Sequence, residues 1–151
     1  MRCFLFGHQD STESILPDLR REVQKHITEN GVTEFIVGRY GNFDYLARRT
    51  VHQAKAMYPH IRLTLLLPYY PPQLPIPQEF DDTCYPEGLE TVPPRFRIPR
   101  ANRAMLERCE FAIACVAVRA SSSGKLLEQA RRKERLGQLR VTNILELKNG
   151  G

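Results

Sequence analysis

Phe35-Ile-Val-Gly-Arg-Tyr-Gly-Asn-Phe-Asp44 is a short apolar run that meets two closely spaced glycines and then turns polar. It reads as a buried strand feeding a tight turn and the start of a helix. Such a junction is where α/β proteins hold anionic ligands, because unpaired N–H groups and the positive end of the helix dipole converge there. Gly38 and Gly41 are read as supplying positive φ or room for the close approach of a ligand, and Asn42 or Asp44 as the helix cap. Two further junctions have the same character, Gly7-His8-Gln9-Asp10 and Ser121-Ser-Ser-Gly-Lys125. Three of them at successive strand ends describe a pocket.

Outward from that stretch, the chain alternates short apolar strands with amphipathic segments. Arg2–Gly7 reads as the first strand, and Ser11 or Thr12 as the cap of a helix whose Ile15, Leu16, Leu19, Val23 and Ile27 recur at helical spacing up to Gly31. A second helix is expected over 42–57, with Phe43, Leu46, Ala47, Val51, Ala54 and Tyr58 on one face, and a Leu-rich third strand over 62–67. Nine of the eleven prolines then fall between Pro68 and Pro99, with Tyr69, Tyr70, Phe80, Tyr85 and Phe96 among them. With no periodicity, 68–98 reads as a long functional loop or lid. A short helix is expected over 100–109, a strand over 111–118, a helix from Ser123-Gly124 to about 136, a last strand over 140–145 and a frayed tail over 149–151. This order predicts an α/β, three-layer, Rossmann-like fold with a mostly parallel five-stranded sheet, in one domain spanning 1–151. Right-handed crossovers bring the three junctions to one sheet edge.

At 151 residues, 42% hydrophobic and 26% charged, the composition is that of a globular domain with a sizeable core. No apolar run approaches the roughly 20 residues of a membrane span, so no membrane partner is expected. The start of the chain has no apolar leader segment, and Cys3, Cys84, Cys109 and Cys115 form no CxxC pair; a reducing cytoplasm is the expected compartment. The net charge of +5 is uneven: residues 1–94 hold 9 Lys/Arg against 12 Asp/Glu, and residues 95–151 hold 13 against 5. That excess suits a phosphate-bearing partner, a nucleotide or a nucleic acid. The run Arg131-Arg-Lys-Glu-Arg135 by itself reads as a solvated helix face.

His8 either bonds a ligand at the pocket floor or is an incidental turn residue. Asp44 either takes a ribose hydroxyl or caps its helix. Arg100, at the expected start of a helix, opposes the dipole and so reads as a phosphate ligand, with Asn102 and Arg103 sharing the task. Ser122, Ser123, Gly124 and Lys125 form a phosphate cradle that is not a Walker A motif, and nothing in the sequence calls for a metal or a cofactor. Glu128, one turn past Gly124, is placed for acid–base work or for pairing with Arg131 or Arg132.

Together these residues resemble the SLOG superfamily, named for the Smf/DprA and LOG proteins, and within it the small YspA/YpsA-like proteins. The features are Phe-Gly-His-x-Asp over 6–10, Val-Gly-x-x-Gly-Asn-Phe-Asp over 37–44, Tyr85-Pro-Glu-Gly-Leu89, and Pro93-Pro-Arg-Phe followed by Asn102-Arg103-x-Met105. The resemblance implies a nucleotide-derived ligand at the C-terminal strand edge. The LOG branch releases ribose 5-phosphate from cytokinin nucleotides with an arginine and the glutamate of Pro-Gly-Gly-x-Gly-Thr-x-x-Glu. Gly124-Lys-Leu-Leu-Glu128 keeps the Gly-to-Glu spacing but has serines for Pro-Gly-Gly and Lys125 for threonine, and neither Arg100 nor Arg103 falls at the family's distance from the methionine. LOG-type proteins commonly dimerise, which implies a homodimer.

Three functions follow in order. The first is binding of a nucleotide-derived small molecule, such as a nucleoside phosphate or ADP-ribose-like signal. The second is an N-glycosidase using Glu128 with Arg100 or Arg103. The third is DprA-like binding of single-stranded nucleic acid, placed last because the aromatics lie in 68–98 and not among the basic residues.

Overall fold

The structure, a computed structural model, describes residues 1–148; the tail expected over 149–151 lies outside the described residues. Six strands, β1 (Arg2–Gly7), β2 (Glu34–Val37), β3 (Arg62–Leu66), β4 (Asp82–Cys84), β5 (Phe111–Cys115) and β6 (Arg140–Asn143), form one sheet in the order β4-β3-β2-β1-β5-β6. Each neighbouring pair runs parallel. Four α-helices, α1 (Leu16–Thr28), α2 (Asn42–Ala54), α3 (Pro94–Arg108) and α4 (Ser122–Arg135), complete the three layers. The Rossmann-like α/β class is as expected from the sequence; the strand count is six and not five.

Alternation along the strands divides the core. Cys3 and Leu5 of β1 join Phe35, Val37, Leu63 and Ile113 beneath α1 and α2, whose Leu19, Val23, Phe43 and Val51 are buried there. Phe4 and Phe6 point the other way and join Ala112, Ala114 and Val116 beneath Met105, Leu106, Leu127 and Ala130 of α3 and α4. Sheets of parallel strands are covered on both faces for this reason, since the helix in each crossover has to lie on one face or the other. Among the described residues no helix is long and apolar enough to cross a membrane.

The Pro-rich segment differs most from expectation. β4 lies inside it, pairing with β3 through Asp-Thr-Cys, three residues without an apolar pattern. Asp81 starts the pairing: its backbone N–H donates to Leu63 O at 2.8 Å while its Oδ2 accepts from the Leu63 N–H at 2.8 Å. The rest of the segment is tied down by Lys55–Asp81 and Arg48–Glu79 ion pairs and by Arg39, which donates to the carbonyls of Leu74 and Pro75. α3 begins at Pro94, not at residue 100, so Pro99 lies within it. Pro94 is at the favoured first position, and Pro99 is near enough to the N-terminus to remove a single helical bond, to Arg95.

Smaller boundary differences follow the same physics. α2 stops at Ala54, β5 at Cys115 and β6 at Asn143. No side chain caps α1: Ser11 Oγ instead donates to His8 O at 2.8 Å, and a 3₁₀ turn over Glu13–Ile15 leads in.

Candidate functional site

The sheet order reverses at β1, whose neighbours β2 and β5 continue in opposite directions, and the crevice outside such a point is the usual ligand position in open α/β sheets. A cleft of about 740 Å³ opens there. Its inner end, between α3 and α4, is apolar, with Phe4, Phe6, Leu66, Ile98 and Leu126; the rings of Phe4 and Phe6 stack with centroids 5.6 Å apart. Its outer end is polar, carrying His8, Asp10, Asp44, Lys125 and the serines of α4, and Arg103 of α3 also lines the wall. Neither Arg103 nor Lys125 makes an ion pair among the described residues.

The connection from β5 to α4 is held from both sides. His8 Nε2 accepts from the backbone N–H of Ala117 at 2.8 Å and of Val118 at 3.3 Å. Asn143, at the end of β6, receives the Val116 N–H on Oδ1 at 3.0 Å and donates from Nδ2 to Val116 O at 2.9 Å. Ser121 then caps α4, its Oγ accepting from the Gly124 N–H at 2.9 Å and donating to Val118 O at 2.7 Å. A Cβ at Gly124 would run into the carbonyls of Val118 and Arg119. The first turn of α4 therefore lies directly on this loop, leaving the N–H groups of Ser122 and Ser123 without protein partners among the described residues. His8 is neither of its two expected readings alone: it lines the cleft and also fixes the loop. An imidazole accepting at Nε2 carries its proton on Nδ1.

At the end of β2, glycine serves close packing and not positive φ. Among the described residues φ falls in the left-handed region at Gly31, Gly88 and Gly137, whereas Gly41 is extended at 165°. A Cβ on Gly41 would approach Gln9 Cα to 2.7 Å, and one on Gly38 would approach Asp44 Oδ2 to 3.0 Å. Asp44 Oδ2 accepts from the Tyr40 N–H at 2.9 Å, a bond that reaches back over the helix start. Burial pushes this carboxyl up to about 6, against the Tyr40 N–H, which pulls it down. Gly41, and not Asn42 or Asp44, occupies the N-cap position.

Of the residues singled out in the sequence, Gly7, His8, Gly38, Asp44, Asn102 and Arg103 line the cleft, as do Ser122, Ser123 and Lys125. Gly41, Asn42, Arg100, Gly124 and Glu128 do not. Asn42 gives its N–H to Gln9 O. Arg100 is exposed in the second turn of α3, so the dipole argument for it falls with the helix boundary. Glu128 pairs with Arg132 at 2.9 Å, 65% exposed. Ser122, Lys125 and Gln129 share the cleft face of α4, and Glu128 lies about 100° round the helix from Gln129. That helical spacing could have found Gln129; nothing in the sequence marked Asn143. Nor do the aromatics of 68–98 cover the cleft: Tyr69 Oη donates to Pro94 O, Tyr70 lies against Tyr85, and Phe80 packs on the α1/α2 core.

No protein-family model matches the sequence, and no curated protein matches it significantly. Solved structures that match its shape include two DprA proteins. DNA processing protein A (DprA) from Streptococcus pneumoniae superposes with a TM-score of 0.61 at 16% identity, over 93% of this chain and 48% of that one. The likeness is one of fold. DprA from Helicobacter pylori, described for its mode of binding single-stranded DNA, gives 0.53 at 14% identity over 95% of this chain and 76% of its own. This chain thus spans about half the length of the S. pneumoniae protein. DprA is among the proteins for which the SLOG superfamily resembled by the sequence is named.

Proposed function

We propose that the cleft binds a nucleotide unit, with its phosphate at the head of α4 and its base toward Phe4 and Phe6. The observation that carries this reading is the first turn of α4: two N–H groups free of protein partners, opened by the Ser121 cap, with Lys125 in the same turn and Arg103 in the wall of the same cleft. Helix dipole, free donors and two unpaired cations act together on an anion. The apolar inner end gives a flat aromatic base a dry surface, and the volume suits one nucleotide. The whole chain acts in this reading as one small YspA/YpsA-like binding domain, and its four free cysteines fit a reducing cytoplasm. Hydrolysis finds less support, because Glu128 lies outside the cleft wall and pairs with Arg132.

A second reading, single-stranded DNA binding, draws on the H. pylori structure and on the same phosphate chemistry. Calorimetric titration with nucleoside monophosphates and with a short oligodeoxynucleotide tests both. The expected result is saturable binding of a monophosphate, weakened about tenfold or more by Arg103→Ala and by Lys125→Ala, each of which removes a charge-assisted contact. Absence of binding, or binding indifferent to both substitutions, would overturn the phosphate site.

A further inference from the structure

The polar end of the cleft is not uniformly cationic. Opposite the phosphate cradle stands Asp44, a carboxylate whose Oδ2 is used by the Tyr40 N–H and whose Oδ1 has no hydrogen-bond partner among the described residues. It has no cation partner among them either. A carboxylate that serves only to cap a helix is stabilised in its charged form by the dipole and the N–H it accepts. Asp44 is in the reverse condition, held up to about 6 by burial. Gly38 is what allows it this position, since a side chain there would press on Oδ2. A group kept charged against its surroundings and turned toward a cleft marks a binding role more often than a structural one.

Resting on the phosphate reading above, we propose that Asp44 Oδ1 accepts a sugar hydroxyl, so that the cleft selects a free nucleotide carrying that hydroxyl over a nucleotide within a DNA strand. The topology sets the reach. Asp44 and the first turn of α4 follow β2 and β5, strands about 10 Å apart across β1, and both line the one cleft. A phosphate joined through one sugar to its hydroxyls, with a hydrogen bond of about 2.8 Å at each end, has a reach of the same order. The base is then left for the apolar end. Within a DNA strand the 2′-hydroxyl is missing and the 3′-oxygen is esterified, so neither can donate to a carboxylate.

The test is titration of the protein with AMP, 2′-deoxy-AMP and 3′-deoxy-AMP, repeated on Asp44→Asn and Asp44→Ala after both are checked for a cooperative melt. Loss of a charge-assisted bond is expected to weaken at least one deoxy ligand about tenfold or more in the wild-type protein. Asp44→Ala should bring AMP down to that level while leaving the deoxy ligand nearly unchanged. Asp44→Asn, which keeps an acceptor for Tyr40 and so guards against misfolding, should fall between. If AMP binds and Arg103→Ala and Lys125→Ala weaken it, yet both deoxy ligands bind as tightly as AMP, the Asp44 assignment is overturned and the phosphate site stands. If neither AMP nor its deoxy forms bind, both are overturned.

Discussion

At the scale of single residues, Asp44 couples binding to stability. Its carboxyl titrates near 6 in the folded chain, against 3.8 without the fold's influence. A carboxylate with a raised folded value binds more protons folded than unfolded between those two points. The protonated form therefore favours the native state below about 4, and that advantage is lost as pH rises through 6. Asp44→Asn removes the titration and keeps an acceptor for the Tyr40 N–H. The expected outcome is a variant more stable than wild type by about 1–2 kcal/mol above pH 6, a few degrees in Tm, with the gain gone at pH 4. Melts across that range check it; a variant less stable at pH 7.5 would contradict it. Glu128 gives the opposite case. Its exposed pair with Arg132 contributes little, so Glu128→Gln should change stability by less than about 0.5 kcal/mol. Nucleotide affinity should move by less than about twofold, and calorimetry on the variant is the check.

At the scale of elements, the β5–α4 connection does most to shape the site. Gly124 touches no ligand in this reading, yet any Cβ there meets two backbone carbonyls that cannot turn aside. Gly124→Ala should cost about 1–3 kcal/mol by overpacking and should also weaken nucleotide binding, because the loop must move away from the head of α4. Asn143→Ala should leave the backbone polar groups of Val116 unpaired and cost about 1–3 kcal/mol. Thermal melts read the first effect in each variant and titration the second. These two elements differ in how far the sequence revealed them. The Ser121–Lys125 junction was legible because capping and glycine chemistry are local, involving residues within a turn of one another. α3 was not, because Pro99 resembles a helix start and the true start at Pro94 is hidden in a run of prolines. β4 was invisible for another reason: its pairing depends on Asp81 meeting Leu63, a contact between residues far apart in the chain. Asn143 belongs with β4, since its partner at Val116 is likewise remote.

At the scale of the whole molecule, the uneven charge along the chain becomes a difference between two faces. Residues 95–148 supply α3 and α4, so the basic excess lies on the face those helices cover. Part of it is neutralised along α4, where Arg131 pairs with Glu134, Arg132 with Glu128 and Lys133 with Glu107, while Arg135 in the last turn makes no ion pair among the described residues. Arg100, Arg103, Arg119 and Lys125 make no ion pair among the described residues, and two of them stand in the cleft wall. Those two act inside the cleft, where they attract any phosphate that enters it. How far recognition extends from there is set by how many phosphates are engaged, and salt measures that number. Each phosphate contact on a single strand contributes roughly −0.7 to the slope of log affinity against log salt. Recognition of one phosphate at the head of α4 gives a shallow slope, about −1 or less steep. The same slope is expected for AMP and for a short oligodeoxynucleotide, and Arg100→Ala and Arg119→Ala should leave it unchanged. A slope several times steeper for the oligonucleotide, flattened by those two substitutions, would mean that the strand runs across the basic face and that the cleft is one station along it.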